Sequence, residues 1–232
     1  MNDGVAAMQK RTAAISNFFH LSEENALLLE ENEQLLEERI SSFKKMEGNF
    51  VVIEDSVWQR QYRMLNAKVI NGTLYQNRNY FTIDKGSIDG VAKKQGVISL
   101  NGIVGRIAEV SEHYAIVESI ISESFSTGAY VKRTGNLGYL KWNKDPAETT
   151  LSQVVITAPI AVGDMVYSKV GSGYFPPDTP VGEIIDLNEN EGEAYYDIRV
   201  KLSTDFSNLR HVYVVTNDFQ NELDDLQEEF YP

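Results

Sequence analysis

The chain has 232 residues, no cysteine and a net charge of −13. That length fits a helix plus one or two domains. The missing thiols exclude disulfides, thiolate zinc sites and cysteine nucleophiles. The charge is concentrated at the ends: residues 21–48 hold eight acids and three bases, and residues 217–232 hold six acids and no base. Residues 49–216, with nineteen acids and sixteen bases, are nearly balanced, which argues against an electrostatic nucleic-acid binder. No stretch approaches eighteen consecutive apolar residues, so no spanning helix is predicted, and no signal peptide is visible.

Residues 5–47 read as one helix, rich in Ala, Leu, Glu, Gln and Lys and free of Pro. At about 1.5 Å per residue it would be roughly 65 Å long, more than a small domain can cover. Leu21, Leu28 and Leu35 recur every seven residues as the d positions of a heptad, with Phe18, Asn25 and Asn32 at a. In a parallel two-stranded coil, paired Asn at a fix register and strand number at some cost in stability. The predicted dimerisation residues are therefore Phe18, Leu21, Asn25, Leu28, Asn32 and Leu35. The e positions Leu29, Leu36 and Phe43 are also apolar, which equally suits a single amphipathic helix lying on its own domain. Gly48-Asn49 ends the helix, and 48–63 is a junction in which Trp58 and Tyr62 stand four apart.

From Met64 the period changes to two. About twelve short β-rich runs follow, separated by turn signals roughly every ten residues. They are predicted from Met64 to Ile70, with Asn71-Gly72 as a turn, then at 80–84, 97–100, 103–110, 115–121, 128–133, 137–142, 151–157, 165–169, 181–187, 195–202 and 211–216. No helical pattern intervenes, which means an antiparallel sandwich or barrel. The expected fold is mainly β with a long N-terminal helix: a coiled coil followed by two small antiparallel six-stranded, chymotrypsin-like barrels. The first barrel is expected over 64–124 and the second over 125–190. Residues 191–216 supply closing strands whose barrel the local pattern leaves open. Residues 217–232 form an acidic tail, partly helical around Leu223 and Leu226 or without fixed structure.

Chemistry is thinly represented. His20, His113 and His211 stand at no metal-ligand spacing, and no phosphate-binding glycine loop is present. Neither a metal nor a cofactor is expected. Double barrels host serine proteases, so Ser172 in Gly171-Ser172-Gly173, with His113 as base and Asp84, Asp89 or Asp164 behind it, forms a candidate triad. A bare Gly-Ser-Gly equally makes an ordinary turn. In the stretch 171–180, Tyr174 and Phe175 lie between glycines and Pro176-Pro177. They either plug a barrel end or present an aromatic partner interface.

The order of motifs resembles the rod-shape-determining MreC family. The heptad Leu21, Asn25, Leu28, Asn32, Leu35 precedes Ala67-Lys68-Val69-Ile70-Asn71, Asp84-Lys85-Gly86-Ser87 with Gly90-Val91, and Gly102-Ile103-Val104-Gly105-Arg106. Arg133-Thr134-Gly135 with Gly138, Gly163-Asp164-Met165-Val166, and Phe175-Pro176 with Val181-Gly182 complete the series. The resemblance spans about 15–216. Where the family often has Thr-Ser-Gly after the Gly-Asp motif, Tyr167-Ser168-Lys169-Val170-Gly171 stands here. The resemblance implies a non-enzymatic scaffold of the cell-wall elongation machinery, on the extracytoplasmic (periplasmic) face of the bacterial inner membrane. Its anchor helix would be one that this sequence does not contain. It also implies MreD, MreB, RodA and a penicillin-binding transpeptidase as partners, beside the homodimer that the heptad predicts, with higher self-association as a further option. The other readings are an active or degenerate serine protease, and an efflux-type periplasmic adaptor. Such an adaptor needs two antiparallel helical arms, and the sequence offers one helix.

Overall fold

The computed structural model describes residues 28, 30–32, 34, 35, 62–169, 174–176, 178–189 and 194–219. The chain divides into two compact units, Met1–Glu47 and Gly48–Pro232. In the first, residues 28, 30–32, 34 and 35 are helical. The rest of the predicted helix and most of the junction lie outside the described residues.

The described residues of the second unit form twelve strands: β1 (Tyr62–Gly72), β2 (Tyr80–Ile83), β3 (Gly96–Ile98), β4 (Ile103–Val110), β5 (Ala115–Ser119) and β6 (Thr127–Val131). They continue with β7 (Leu137–Trp142), β8 (Glu148–Ser152), β9 (Met165–Ser168), β10 (Pro180–Asn188), β11 (Asp197–Leu202) and β12 (His211–Asn217). Two closed barrels result, in strand orders β1-β12-β3-β4-β5-β2 and β10-β11-β8-β7-β6-β9. Every pairing is antiparallel. Closure leaves neither sheet an open edge.

Alternation selects the faces. In β11 the even positions Ile198, Val200 and Leu202 are buried and the odd ones exposed. In β7 Gly138 and Leu140 face in, while Leu137, Tyr139 and Lys141 face out. The first core is built on Ile83, Val97, Ile103, Val104 and Val117, the second on Val131, Leu140, Leu151, Ile184, Ile198 and Val200. Each such side chain contributes about 1.5–3 kcal/mol through burial. Gly105 in β4 has no room for a side chain, because a Cβ there would overlap the Glu118 carbonyl on β5.

The last strands part company. β11 pairs with β8 and β10 and closes the second barrel, whereas β12 pairs with β1 and β3 and closes the first. Two connections therefore cross between the barrels, one after β5 and one after β11. The buried Asn79 secures the first: its side-chain amide donates to Ile121 O at 2.6 Å and Gln76 O at 2.8 Å. In the second, Thr204 donates to Ile103 O at 3.0 Å and lies 3.0 Å from the Ser99 hydroxyl, while Phe206 stacks on Phe81.

The run predicted at 151–157 is displaced. Gln153 has φ 66°, which breaks the ladder after Ser152. Beyond it, only an isolated bridge joins Val155 to Tyr195.

Candidate interaction surface

Among the described residues, the predicted base and its candidate carboxylates do not form a triad. His113 is exposed on the β4–β5 turn, and its nearest carboxylate is that of its neighbour Glu112 at 3.8 Å. Asp84 accepts the Lys68 backbone N–H at 2.7 Å. Asp89 accepts the Gly86 N–H at 3.0 Å and pairs with Lys85 at 3.1 Å. The Gly86 backbone bond, with Lys85 behind it, holds the Asp89 carboxyl below the usual carboxylate range. Asp164 is clamped by the Arg133 guanidinium at 2.6 and 2.7 Å and by the Ala161 N–H at 2.8 Å. The Arg133 bonds outweigh burial and hold that carboxyl low as well. All three aspartates thus have structural partners. Ser172 and His20 lie outside the described residues. Among the described residues no cluster of His, Asp or Glu could hold a metal, and no helix is long and apolar enough to cross a membrane.

Tyr174 and Phe175 sit at the seam between the barrels. Phe175 is 3% exposed. A Cβ on Gly96 of β3 would stand 3.0 Å from its ring and would overlap the Tyr174 carbonyl. Tyr174 is half-buried, and Arg106 of β4 lies 5.5 Å from its ring centroid and 5.4 Å from that of Phe125. An aromatic partner interface needs a ring that reaches solvent. Phe175 is instead committed to the first barrel, and of the pair only Tyr174 keeps any exposed surface. The sequence could have pointed here only through Gly96, a strand glycine that permits close approach.

Asp178, on the same stretch, accepts hydrogen bonds from Tyr130 and from Lys132, the latter at 2.7 Å. Burial pushes the Asp178 carboxyl up, yet the Lys132 and Tyr130 bonds prevail and its net shift is downward. Burial, with Asp178 alongside, pushes the Tyr130 hydroxyl up to about 12. Lys132 also lies 5.9 and 5.6 Å from the ring centroids of Tyr130 and Tyr167.

Sequence reasoning missed what surrounds this cluster. On the outer face of the second barrel, Tyr130 is flanked across the sheet by Tyr167 on β9 and Leu137 on β7. Tyr139 extends the face one step along β7. Leu137 is 54% exposed and Tyr139 47%. The Lys169 stem crosses this face above Gly128, the cross-strand partner of Tyr139. Outward Leu and Tyr alternating with the buried face of one strand was the available signal. Of the predicted coil residues, Phe18, Leu21 and Asn25 lie outside the described residues, Asn32 is helical and half-buried, and Leu28 and Leu35 are helical, 49% and 53% exposed.

The family model described as "Rod shape-determining protein MreC, barrel core" matches residues 69–216. The cell shape-determining protein MreC of Listeria monocytogenes is 27% identical over 201 residues, covering 83% of this chain and 68% of that protein. The MreC of Escherichia coli is 23% identical over 189 residues, covering 82% of this chain but only 51% of that protein. Among solved structures, Listeria MreC superposes with a TM-score of 0.63 at 25% identity, over 85% of this chain and 94% of that one. The Helicobacter pylori MreC, solved in complex with the penicillin-binding protein PBP2, superposes at 0.54 with 17% identity, over 67% of this chain and 99% of that one. The matched residues run from β1 through β12 and so take in strands of both barrels; this chain belongs to the rod shape-determining MreC family.

Proposed function

We propose that this chain is a non-enzymatic scaffold of the bacterial cell-wall elongation machinery, and that it binds a penicillin-binding transpeptidase on the outer side of the inner membrane. The observation that carries this reading is the family match across both barrels; the structural neighbour from Helicobacter pylori, solved with a penicillin-binding protein, supports the choice of partner. The dispersal of His113, Asp84, Asp89 and Asp164 supports the non-enzymatic part, since acyl transfer needs base and orienting carboxylate in contact. MreD, RodA and MreB are the further partners this reading assigns. The chain self-associates as a parallel dimer through Phe18, Leu21, Asn25, Leu28, Asn32 and Leu35. The domain plan is a coil over 5–47, a junction from 48 up to the start of β1 at Tyr62, the two barrels, and an acidic tail after β12 ends at Asn217.

The test is complementation. A strain lacking its own MreC should regain rod shape with this protein, joined to a membrane anchor, carrying Ser172→Ala or His113→Ala. The purified chain should retain a penicillin-binding transpeptidase on an affinity surface. Loss of rescue by either variant, once shown to be folded, restores the protease reading. No binding of any elongation transpeptidase removes the scaffold reading.

A further inference from the structure

The outer face of the second barrel is apolar and cationic at once. Tyr130, Leu137 and Tyr139 form its floor. Lys141, outward on β7, and Lys169, across Gly128, stand on either side. Neither lysine has an ion-pair partner among the described residues, whereas Lys132 is neutralised by Asp178. In a chain of net charge −13 such a face needs an occupant with an apolar stripe and acidic flanks.

The chain contains one. Phe219, Leu223, Leu226 and Phe230 are spaced four, three and four apart, which aligns them on one side of a helix. Glu222, Asp224, Asp225, Glu228 and Glu229 fill the positions between them, and no base occurs after Asn217. The start of this segment is prepared for helix. Asn217 Oδ1 accepts the Phe219 N–H at 3.1 Å, the bond a helix N-cap makes, and Arg63 grips Asp218 at 2.6 Å.

The segment also begins in the right place. Val215 pairs with Gly96, and Gly96 touches Tyr174 and Phe175. Four residues past Tyr174, Asp178 bonds Tyr130 on the proposed floor. Residues 219–231 as a helix would extend about 20 Å, the length over which the tail can reach away from this seam.

We propose that residues 219–231 dock in cis, as an acidic amphipathic helix, on the Tyr130–Leu137–Tyr139 face of the second barrel, with their carboxylates toward Lys141 and Lys169. A docked tail competes with any partner for this face. That consequence rests on the partner reading above, but the contact itself does not.

The absence of native cysteine makes the contact directly measurable. In the full chain, Leu137→Cys with Leu226→Cys should form an intrachain disulfide under mild oxidation, because bridging needs Cα atoms within about 7 Å. The control pair, Ile70→Cys with Leu226→Cys, uses an equally exposed residue of β1. Docking should give the first pair about fivefold more intrachain product, through a higher effective concentration. Adding Lys141→Glu and Lys169→Glu should lower that yield toward the control. Thermal melting verifies that each variant folds. Equal yields in the two pairs, a bridge formed only between two chains, or indifference to the lysine substitutions in folded variants would each overturn the proposal. None of these outcomes bears on transpeptidase binding, which is read separately.

Discussion

Phe175 lies against Gly96 across the seam between the two barrels, so closely that one added carbon on the glycine would stand 3.0 Å from the ring. The stretch around Phe175 belongs to the second barrel by sequence and packs on the first. Phe175→Ala should cost about 3–5 kcal/mol of stability, as for other buried aromatics. Gly96→Ala should cost about 1–3 kcal/mol by overpacking the same contact. Chemical denaturation followed by tryptophan fluorescence measures both. A Phe175→Ala protein as stable as its parent would show that the seam is not held there.

Arg106 reaches two rings that belong to different parts of the seam, Phe125 on the first connection and Tyr174 beyond β9. A double-mutant cycle of Arg106→Ala and Tyr174→Leu should give a coupling of about 0.5–1 kcal/mol. Additive losses would mean that the guanidinium and the Tyr174 ring do not interact in solution. Tyr174→Ala also separates the roles of the loop. Lowered transpeptidase affinity with unchanged melting would assign its exposed edge to the partner.

Asp164 should make stability depend on pH in the acid range. Its carboxyl titrates lower in the folded chain than in the unfolded one, because Arg133 and the Ala161 N–H favour the ionised form. The stabilisation is therefore complete above the usual carboxylate range, near pH 4, and lost as the pH falls through the folded value. The gap in stability between parent and Asp164→Asn should be widest at neutral pH and should narrow on acidification. Arg133 is half-exposed, so added salt should reduce the gap as well. A gap that widened toward low pH would contradict the assigned direction.

Leu28 and Leu35 are helical and about half-exposed in the single chain. Replacing both by Gln should convert the proposed dimer to monomer without lowering the melting temperature of the barrels. Sedimentation equilibrium gives the mass and circular dichroism the melting. Equal masses for parent and variant would favour a single amphipathic helix over a paired one.

Much of the barrel architecture was legible because it rests on local periods. Two-residue alternation located strands such as β7 and β11, where side chains face alternately in and out. The parts that were not legible depend on distant partners. Nothing in the sequence Leu151–Thr157 announces that Gln153 turns left-handed; the structure shows the ladder stopping at Ser152. Whether Asp197–Leu202 or His211–Asn217 closes a given barrel depends on hydrogen-bond partners far away in the chain; the first alternates and the second buries four residues in a row, and neither pattern names its partner strands. Tyr174 and Phe175 were singled out by their flanking glycines and prolines. Their burial is decided by Gly96, nearly eighty residues earlier. The coil pattern was explicit in the leucines, but pairing is a property of two chains.

The partition of the last two strands makes the barrels unequal in the order in which they can form. All six strands of the second lie in one uninterrupted run from Thr127 to Leu202, so it can close as soon as that run has been synthesised. The first has five strands ready by Ser119 and must wait for His211–Asn217. Until then β1 and β3 keep unpaired edges, the kind of surface on which chains aggregate. The second barrel is in effect an insertion that matures inside an unfinished host. The final act of folding is to seat β12 between β1 and β3, with Arg63 and Asp218, 155 residues apart, joined at the rim.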